Sequence, residues 1–362
     1  MTARGNALGT LLAALLSAGA AAGRVPEAHG AGLDAATIGT VVESLANSVA
    51  ADYFDAAMGA KAASELRAGL AQGRYAQAPD LEALATLVTR DLYAVAKDRH
   101  LSMVVAQPPS PAPAPVRALA EETREERGKR ENFGFQKTEI LAGNVGYLRV
   151  TAFYRPEETR EAMAAAMAFL SQADALIVDL RDHGGGATPT VALFTSYFLD
   201  QPEMPLFAIT PRPPAEPRRY LTEPGTLAHR NGSRPIFVLT SAQTSSGGEA
   251  VAFLLQERHR AVVIGEGTWG GANQVPNPRP LGHDFKAYIP NGRMGSTLTG
   301  GNWEGVGVIP DVPAGTDQAL RVAQAMALQA VLRSVPQGLW QDKLKAELAT
   351  VALPTGAEPP RH

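Results

Sequence analysis

Apolar residues recur at helical spacing along the first part of the chain. Two series each fall on one helix face: Ile38, Val41, Val42, Leu45 and Val49, and then Leu81, Leu84, Leu87, Val88, Leu92 and Val95. Asp80 stands where it can cap the second helix, and the helical pattern ends at residues 98–100. This spacing predicts a small helical bundle over residues 33–105, with His100 at a helix end or just past it.

The period changes beyond this region. Alternating prolines between 107 and 115 exclude helix and strand pairing, and a charged stretch follows, so a linker is expected over residues 106–131. Strand-like or short apolar runs then alternate with helical stretches: strands at 145–150, 175–180, 235–239 and 261–264, helices at 157–170 and 249–258. This alternation predicts an α/β domain over residues 132–335. A weakly patterned tail, residues 336–362, ends in Pro-rich, loose sequence.

The first residues have the pattern of an export signal. Arg4 precedes a mostly apolar run from Ala7 to Leu16, and small residues follow at 17–22. The run is too short to span ~30 Å of hydrocarbon at 1.5 Å per residue. We therefore predict a signal peptide over residues 1–22, a periplasmic or secreted protein, and no membrane span in the mature chain.

Composition narrows the chemistry that the chain can perform. The 362 residues contain no cysteine, which excludes disulfides, thiolate nucleophiles and cysteine metal sites. The formal net charge is -3 and no long Lys/Arg block occurs, so nucleic acid is not an expected partner. Small neutral substrates or peptides fit this balance better.

Three glycines follow a predicted buried strand at residues 184–186. Glycine allows backbone N–H groups to approach a ligand closely, and such groups can bind a phosphate or the oxyanion of acyl transfer. Neither common phosphate-binding fingerprint fits the spacing. A tight turn that requires positive φ is the structural alternative.

A serine lies at the next strand-to-helix junction. Residues 244–249 read TSSGGE, which places Ser246 near the N-terminus of a helix, where free N–H groups can stabilise an alkoxide and then an oxyanion. A helix-capping serine is the alternative. The spacing is not the Gly-x-Ser-x-Gly of α/β hydrolases.

A serine nucleophile also needs a proton acceptor. Of the seven histidines, five fall in expected ends, loops or an exposed helix end, which leaves His100 and His183. Glu304, beside Trp303 in a glycine-punctuated loop, could orient a base or could be a solvated loop charge.

Taken together, these segments resemble one known family. The motifs are NVGYL at 144–148, ALIVDLR at 175–181, the triple glycine, TSSGGE at 244–249, VIGEGTWGGA at 263–272 and WEGVGVIPD at 303–311. In this order they are similar to the tail-specific, or C-terminal-processing, serine peptidases. The nearest branch includes interphotoreceptor retinoid-binding protein and tricorn protease, and the likeness runs from about Leu33 to about Leu332.

The resemblance implies a crotonase/Clp-peptidase-like core of spiralled β-β-α units, preceded by the helical bundle. It implies that Ser246 is the nucleophile, that the Gly247 amide forms half of the oxyanion hole, and that Gly185 and Gly186 supply the other half. Processing peptidases use a lysine as general base, but the matching residues 269–272 read WGGA. In the tricorn-like branch a histidine and a downstream glutamate act instead, and His100 and Glu304 match those positions.

One departure from the tricorn-like pattern is Arg99, which replaces a serine. The predicted function is an exported serine peptidase that acts on a peptide or protein substrate without a cofactor or metal. A non-catalytic binding protein for an apolar ligand is the alternative on the same fold, and His183 is the alternative base. Crotonase-like thioester chemistry is disfavoured by the export signal, because coenzyme A is intracellular.

Overall fold

The computed structural model describes residues 33–106, 124–224 and 233–351 of the chain. The predicted signal peptide and residues 107–123 of the predicted linker lie outside the described residues. All described residues belong to one compact unit that begins at Leu33.

The N-terminal region contains three helices: α1 (Ala35–Asp52), α2 (Ala56–Ala71) and α3 (Leu81–Ala96). Each begins after an aspartate whose carboxylate accepts a hydrogen bond from the N–H three residues on, at 2.6, 2.9 and 2.8 Å: Asp34, Asp55 and Asp80. The predicted apolar faces are largely buried in one cluster. The predicted Asp80 cap is confirmed.

A small antiparallel sheet joins this region to the second half of the chain. Strand β1 (Ser102–Val105) pairs with β10 (Phe285–Tyr288), which pairs with β9 (Arg279–Gly282). Side chains from both halves share the apolar cluster of α1–α3, including Leu101, Met103 and Phe285. Since β1 starts two residues after His100, this pairing holds His100 against the second half.

A six-stranded sheet forms the centre of the molecule, in the order β12-β8-β7-β4-β3-β2. Its strands are β2 (Phe135–Leu141), β3 (Val145–Val150), β4 (Ala175–Asp179), β7 (Ile236–Thr240), β8 (Val262–Gly265) and β12 (Val312–Pro313). Strand β2 is antiparallel to β3, and the other pairs are parallel. The four predicted strands are therefore neighbours in this sheet, as an α/β domain requires.

Helices cover both faces of the sheet. One face carries α5 (Pro156–Phe169), α6 (Thr188–Ser196) and α7 (Gly247–Gln256), and the other carries α8 (Ala319–Ser334). Leu176 and Val178 of β4 point to the first face, while Ala175 and Ile177 point to the second. Because successive strand residues face opposite sides, a strand buried on both sides reads as one continuous apolar run.

The remaining elements lie around this core. A second antiparallel sheet has the order β11-β5-β6, formed by β5 (Pro205–Pro211), β6 (Arg218–Leu221) and β11 (Gly292–Ser296). Helix α4 (Arg124–Arg130) lies in the predicted linker, and α9 (Leu339–Thr350) lies in the predicted tail. Its Leu344 is fully buried against the cluster of α8. Within the three described ranges, no helix has the length and apolar character needed to cross a membrane.

Candidate active site

Ser246 occupies the turn between β7 and α7 in a strained backbone conformation. Its φ of 50° and ψ of -112° are rare for a residue with a side chain. The Ser246 N–H donates to Glu249 Oε2 at 2.6 Å. Strain of this kind, at a serine between a strand and a helix, is typical of nucleophilic serines.

The glycine loop after β4 lies directly against this serine. Gly185 has a φ of 92° and Gly186 a φ of 139°, which residues with a side chain rarely adopt. A Cβ on Gly185 would lie 2.7 Å from Ser246 Cβ, and a Cβ on Gly186 would lie 2.0 Å from the Phe153 carbonyl oxygen. The loop therefore requires glycine at both positions to approach the serine.

Two backbone amides are available beside Ser246. Across the described part of the chain, no hydrogen bond is donated by the N–H groups of Gly186 and Gly247. They lie together, because a Cβ on Gly247 would be 3.4 Å from Gly186 N. The Gly185 N–H, by contrast, donates to His183 Nδ1 at 3.0 Å. Of the three predicted oxyanion-hole glycines, Gly185 thus has its amide already engaged.

His183 is completely buried beneath this loop. Its ring packs against Phe153 at 4.3 Å between centroids, and a Cβ on Gly248 would lie 2.7 Å from its Nδ1. Burial lowers the pKa of His183 to about 3, so the ring is neutral at pH 7. Since Nδ1 accepts the Gly185 N–H, the ring proton resides on Nε2. His183 therefore supports the shape of the loop.

His100 reaches the site from the helical region, just after α3. Asp98, which is buried, fixes its backbone by accepting the His100 N–H at Oδ1, at 2.9 Å. The other oxygen of Asp98 accepts from Tyr53 Oη–H and Asn273 Nδ2–H, each at 2.9 Å. A residue just after α1 and one from the second half of the chain thus meet on one carboxylate beside His100.

The imidazole of His100 packs into a gap left by a glycine. Its ring lies 5.1 Å from that of Trp269, edge to face, and a Cβ on Gly271 would lie 2.8 Å from His100 Cε1. Burial lowers the pKa of His100, and the charge of Asp98 opposes this shift. Nδ1 of His100 is buried without a hydrogen-bond partner among the described residues.

Glu304 lies close to both Asp98 and His100. Its Oε1 accepts from the Arg99 N–H at 2.9 Å, and its Oε2 accepts from the N–H groups of Ala272 and Asn273 at 2.7 and 3.0 Å. Burial, with the nearby charge of Asp98, raises the pKa of Glu304 to about 7. One nitrogen of His100 and one oxygen of each carboxylate lie within 4.8 Å of one another.

Such a trio of side chains could in principle hold a metal ion. Each oxygen of Asp98 and Glu304, however, already accepts at least one N–H or O–H donor. Of the two carboxylates, Asp98 carries the charge that favours the protonated imidazole of His100.

Ser246 and His100 line the same cavity, together with Gly186 and Gly247. The cavity is small, with a volume of about 80 Å³. Apolar side chains form much of its wall: Val191, Phe207, Ile209, Met294 and Trp303. A larger cavity, at Arg234 and Arg260, contains none of the predicted site residues.

Sequence reasoning missed several residues that organise this site. Tyr53, Asn273 and Glu249 carry hydrogen bonds to Asp98 or to Ser246, yet none was a candidate. Only Glu249 had a local signal, since it closes the segment TSSGGE. Tyr53 and Asn273 lie 45 and 175 residues from Asp98, so no local pattern could relate them.

The sequence matches models of one family in two places. "Peptidase family S41" matches residues 144–314, and "N-terminal domain of Peptidase_S41 in eukaryotic IRBP" matches residues 35–136. The chain is 28% identical over 178 residues to a carboxy-terminal-processing protease of Bartonella bacilliformis, covering 48% of this chain. It is 28% identical over 161 residues to the carboxy-terminal processing protease CtpB of Bacillus subtilis, covering 42% of this chain. The matched regions span 39% and 32% of these relatives.

Solved structures share the fold at low sequence identity. A candidate peptidase from Parabacteroides merdae superposes with a TM-score of 0.56 at 15% identity, over 83% of this chain and 99% of that one. Mature CPAF complexed with lactacystin gives 0.51 at 12% identity, over 87% of this chain and 99% of that one. The expected mixed α/β fold with an N-terminal helical region is confirmed.

Proposed function

Since this chain belongs to peptidase family S41, we propose that it is an exported serine peptidase with Ser246 as nucleophile, His100 as general base and Glu304 as relay. Its substrate is a peptide or protein. The relatives named as C-terminal-processing proteases suggest cleavage near a C-terminus. Export follows from the signal peptide predicted over residues 1–22.

In this mechanism His100 accepts the proton of the Ser246 hydroxyl while Oγ attacks the scissile carbonyl carbon. The carbonyl oxygen becomes an oxyanion and accepts hydrogen bonds from the N–H groups of Gly186 and Gly247. His100 then gives the proton to the leaving amine. Water, deprotonated by the same histidine, releases the acyl group and restores Ser246.

One observation carries this proposal. Ser246 and His100 come from different regions of the chain, yet they line one cavity together with the two unengaged amides. A nucleophile, a base and an oxyanion site therefore face the same small volume. The carboxylates of Asp98 and Glu304 lie close enough to stabilise the imidazolium that forms.

His183 supports this choice of base by its own surroundings. It has no exposed surface, its Nδ1 accepts a backbone N–H, and it does not line the cavity. A base must exchange protons with the substrate and water, which a sealed imidazole cannot do. In this proposal the Gly185 N–H does not bind the oxyanion, because it donates to His183. Gly185 contributes by its close approach to Ser246.

The apolar wall of the cavity favours one alternative, a non-catalytic protein that binds an apolar ligand there. The two functions differ in the reactivity of Ser246. Only a catalytic site activates the serine, whereas a binding site needs nothing from its hydroxyl.

Labelling with a fluorophosphonate probe tests the proposal without knowledge of the substrate. The wild-type protein should be labelled at Ser246, and Ser246→Ala should not be labelled at all. Ser245→Ala is the matched control, because its hydroxyl makes only a long hydrogen bond of 3.4 Å to the His183 carbonyl. It should be labelled as fast as the wild type. A folded wild-type protein that does not react would favour the binding protein.

A further inference from the structure

Glu249 is a fully buried carboxylate one turn into α7, and the mechanism above gives it no role. Its Oε2 accepts from the N–H groups of Ser246 at 2.6 Å and Gly271 at 3.0 Å. Its Oε1 accepts from the Gly270 N–H and from the Thr268 hydroxyl, each at 2.5 Å. Four donors thus converge on one side chain that has no contact with solvent.

All four partners donate to Glu249, an arrangement that favours the carboxylate. Three of them are backbone N–H groups, which cannot accept. The fourth, the Thr268 hydroxyl, accepts the Val308 N–H at 2.7 Å and donates its own hydrogen to Glu249. Burial raises the pKa of Glu249, and the four donors oppose that shift. A protonated acid could not accept all four of these hydrogen bonds.

The donors belong to two separate segments of the chain. Ser246 is in the nucleophile turn, while Thr268, Gly270 and Gly271 belong to the segment 266–274 after β8. That segment carries Gly271, whose lack of a side chain admits the His100 ring. Glu249 therefore joins the backbone of the nucleophile to the backbone against which the base packs.

Glu304 binds the backbone of the same segment, next to the residues that bind Glu249. Gly270 and Gly271 donate to Glu249, and the next two amides, Ala272 and Asn273, donate to Glu304. Glu249 and Glu304 thus each accept two of these four consecutive N–H groups. Glu249 also accepts the Ser246 N–H, and Glu304 also accepts the Arg99 N–H. The segment 266–274 is thereby fixed from both sides.

We propose that Glu249 is a positioning residue that sets the distance between Ser246 and His100. The inference rests on the proposed function, because it concerns the geometry of that nucleophile and base. A simple helix cap would need only the bond to Ser246. The three further donors, 19 to 22 residues along the chain, have no part in capping α7.

The test compares Glu249→Gln with the wild type in fluorophosphonate inactivation. Glutamine keeps the volume but offers one accepting oxygen and an NH₂ group, so two of the four donors lose their acceptor. The maximal inactivation rate constant should fall about 10²-fold, the effect of a displacement of about 1 Å. The KI of the probe should stay unchanged, since Glu249 does not line the cavity.

A merely structural role would give a different pattern. Partial unfolding lowers the fraction of protein that is ever labelled, whereas mispositioning lowers the rate at which all of it is labelled. Glu257→Gln is the matched control, because Glu257 lies at the other end of α7 and accepts from the hydroxyls of Ser296 and Thr299. It should retain the wild-type rate constant.

The outcomes separate this inference from the proposed function. A wild-type protein that is not labelled at Ser246 overturns the proposed function. Labelled wild type together with an equally fast Glu249→Gln overturns the positioning role alone. If Glu249→Gln does not fold, Glu249→Asp decides: it keeps the charge but is one methylene too short to reach both segments. A wild-type rate in a folded Glu249→Asp also overturns the inference.

Discussion

Two histidines, His100 and His183, lie near Ser246, and their surroundings differ in almost every respect. His100 comes from the helical region, lines the cavity and has two carboxylates within 4.8 Å. His183 lies under the glycine loop, against Phe153, with a backbone N–H on its Nδ1. Burial lowers the pKa of both, but only at His100 does a neighbouring charge oppose the shift.

This difference shows why burial alone does not identify a base. A low pKa keeps an imidazole neutral and ready to accept a proton, but it also makes the imidazolium hard to form. Asp98 supplies the compensating negative charge at His100. At His183 no neighbouring charge opposes the effect of burial, and the ring accepts the Gly185 N–H of the loop.

The largest difference between the two histidines is expected when each imidazole ring is removed in turn. His100→Ala should slow labelling of Ser246 by about 10² to 10⁴-fold, the usual contribution of a general base. Added imidazole should restore part of the rate, because the vacated space opens to the cavity. His183→Ala should instead lower the free energy of unfolding by about 3 kcal/mol, through a buried void and an unpaired Gly185 N–H.

Labelling reactions quenched at set times, with and without imidazole, measure the rate at Ser246. Unfolding in denaturant measures the free energy of unfolding. Rescue of His183→Ala by imidazole, with His100→Ala at the wild-type rate, would reverse the assignment of the base.

A smaller effect is expected from the loop that His183 supports. Gly185→Ala would place a methyl group 2.7 Å from Ser246 Cβ at a φ of 92°. We expect at least about tenfold slower labelling and a loss of about 1 to 3 kcal/mol of stability from the strain. The measurement is the labelling rate beside a thermal melt.

Gly184→Ala is the matched control for that substitution. The nearest atom to its added Cβ, the Thr151 carbonyl oxygen, is 4.0 Å away, and Gly184 has no positive φ. It should behave as the wild type within about 0.5 kcal/mol. Equal effects of the two alanines would contradict the close approach of Gly185 to Ser246.

The smallest effect concerns the charge beside His100. The pKa of Glu304 is about 7 in the folded protein and near its ordinary 4.5 in the unfolded chain. Between these values the folded state keeps a proton that the unfolded chain releases. The stability that Glu304 contributes is therefore full below pH 4.5 and is lost as the pH rises through 7.

Glu304→Gln cannot titrate, so it lacks this loss. The melting temperature of the variant, relative to wild type, should rise by a few degrees between pH 5 and pH 8. Thermal melts across this range measure the difference. A difference that does not change with pH would show that Glu304 is not the group with the raised pKa.

Helices and strands that carry a clear pattern in their own sequence could be predicted. The apolar runs at β3, β4, β7 and β8 and the Asp80 cap of α3 lie where the sequence placed them. Helix α9 was missed because Leu344 is its one fully buried side chain, which leaves no apolar stripe. Strands β1, β9 and β10 were missed because they are short and depend on partners far along the chain.

The sequence by itself determined the types of residue that the site can use. The absence of cysteine, the position of Ser246 at a strand-to-helix turn and the loss of the lysine at 269–272 are all readable without coordinates. The glycines at 185 and 186 could likewise be identified as a close-approach loop, since φ preference is a property of the residue.

Only the tertiary structure decided which of these residues lie together. The choice between His100 and His183 depends on burial and on neighbours up to 205 residues away, such as the Glu304 carboxylate that accepts the Arg99 N–H. The same holds for Gly185, whose amide is engaged by His183, and for Glu249, whose partners lie in another segment. Hydrogen bonds and pKa values are set by three-dimensional surroundings, and residue order along the chain does not specify them.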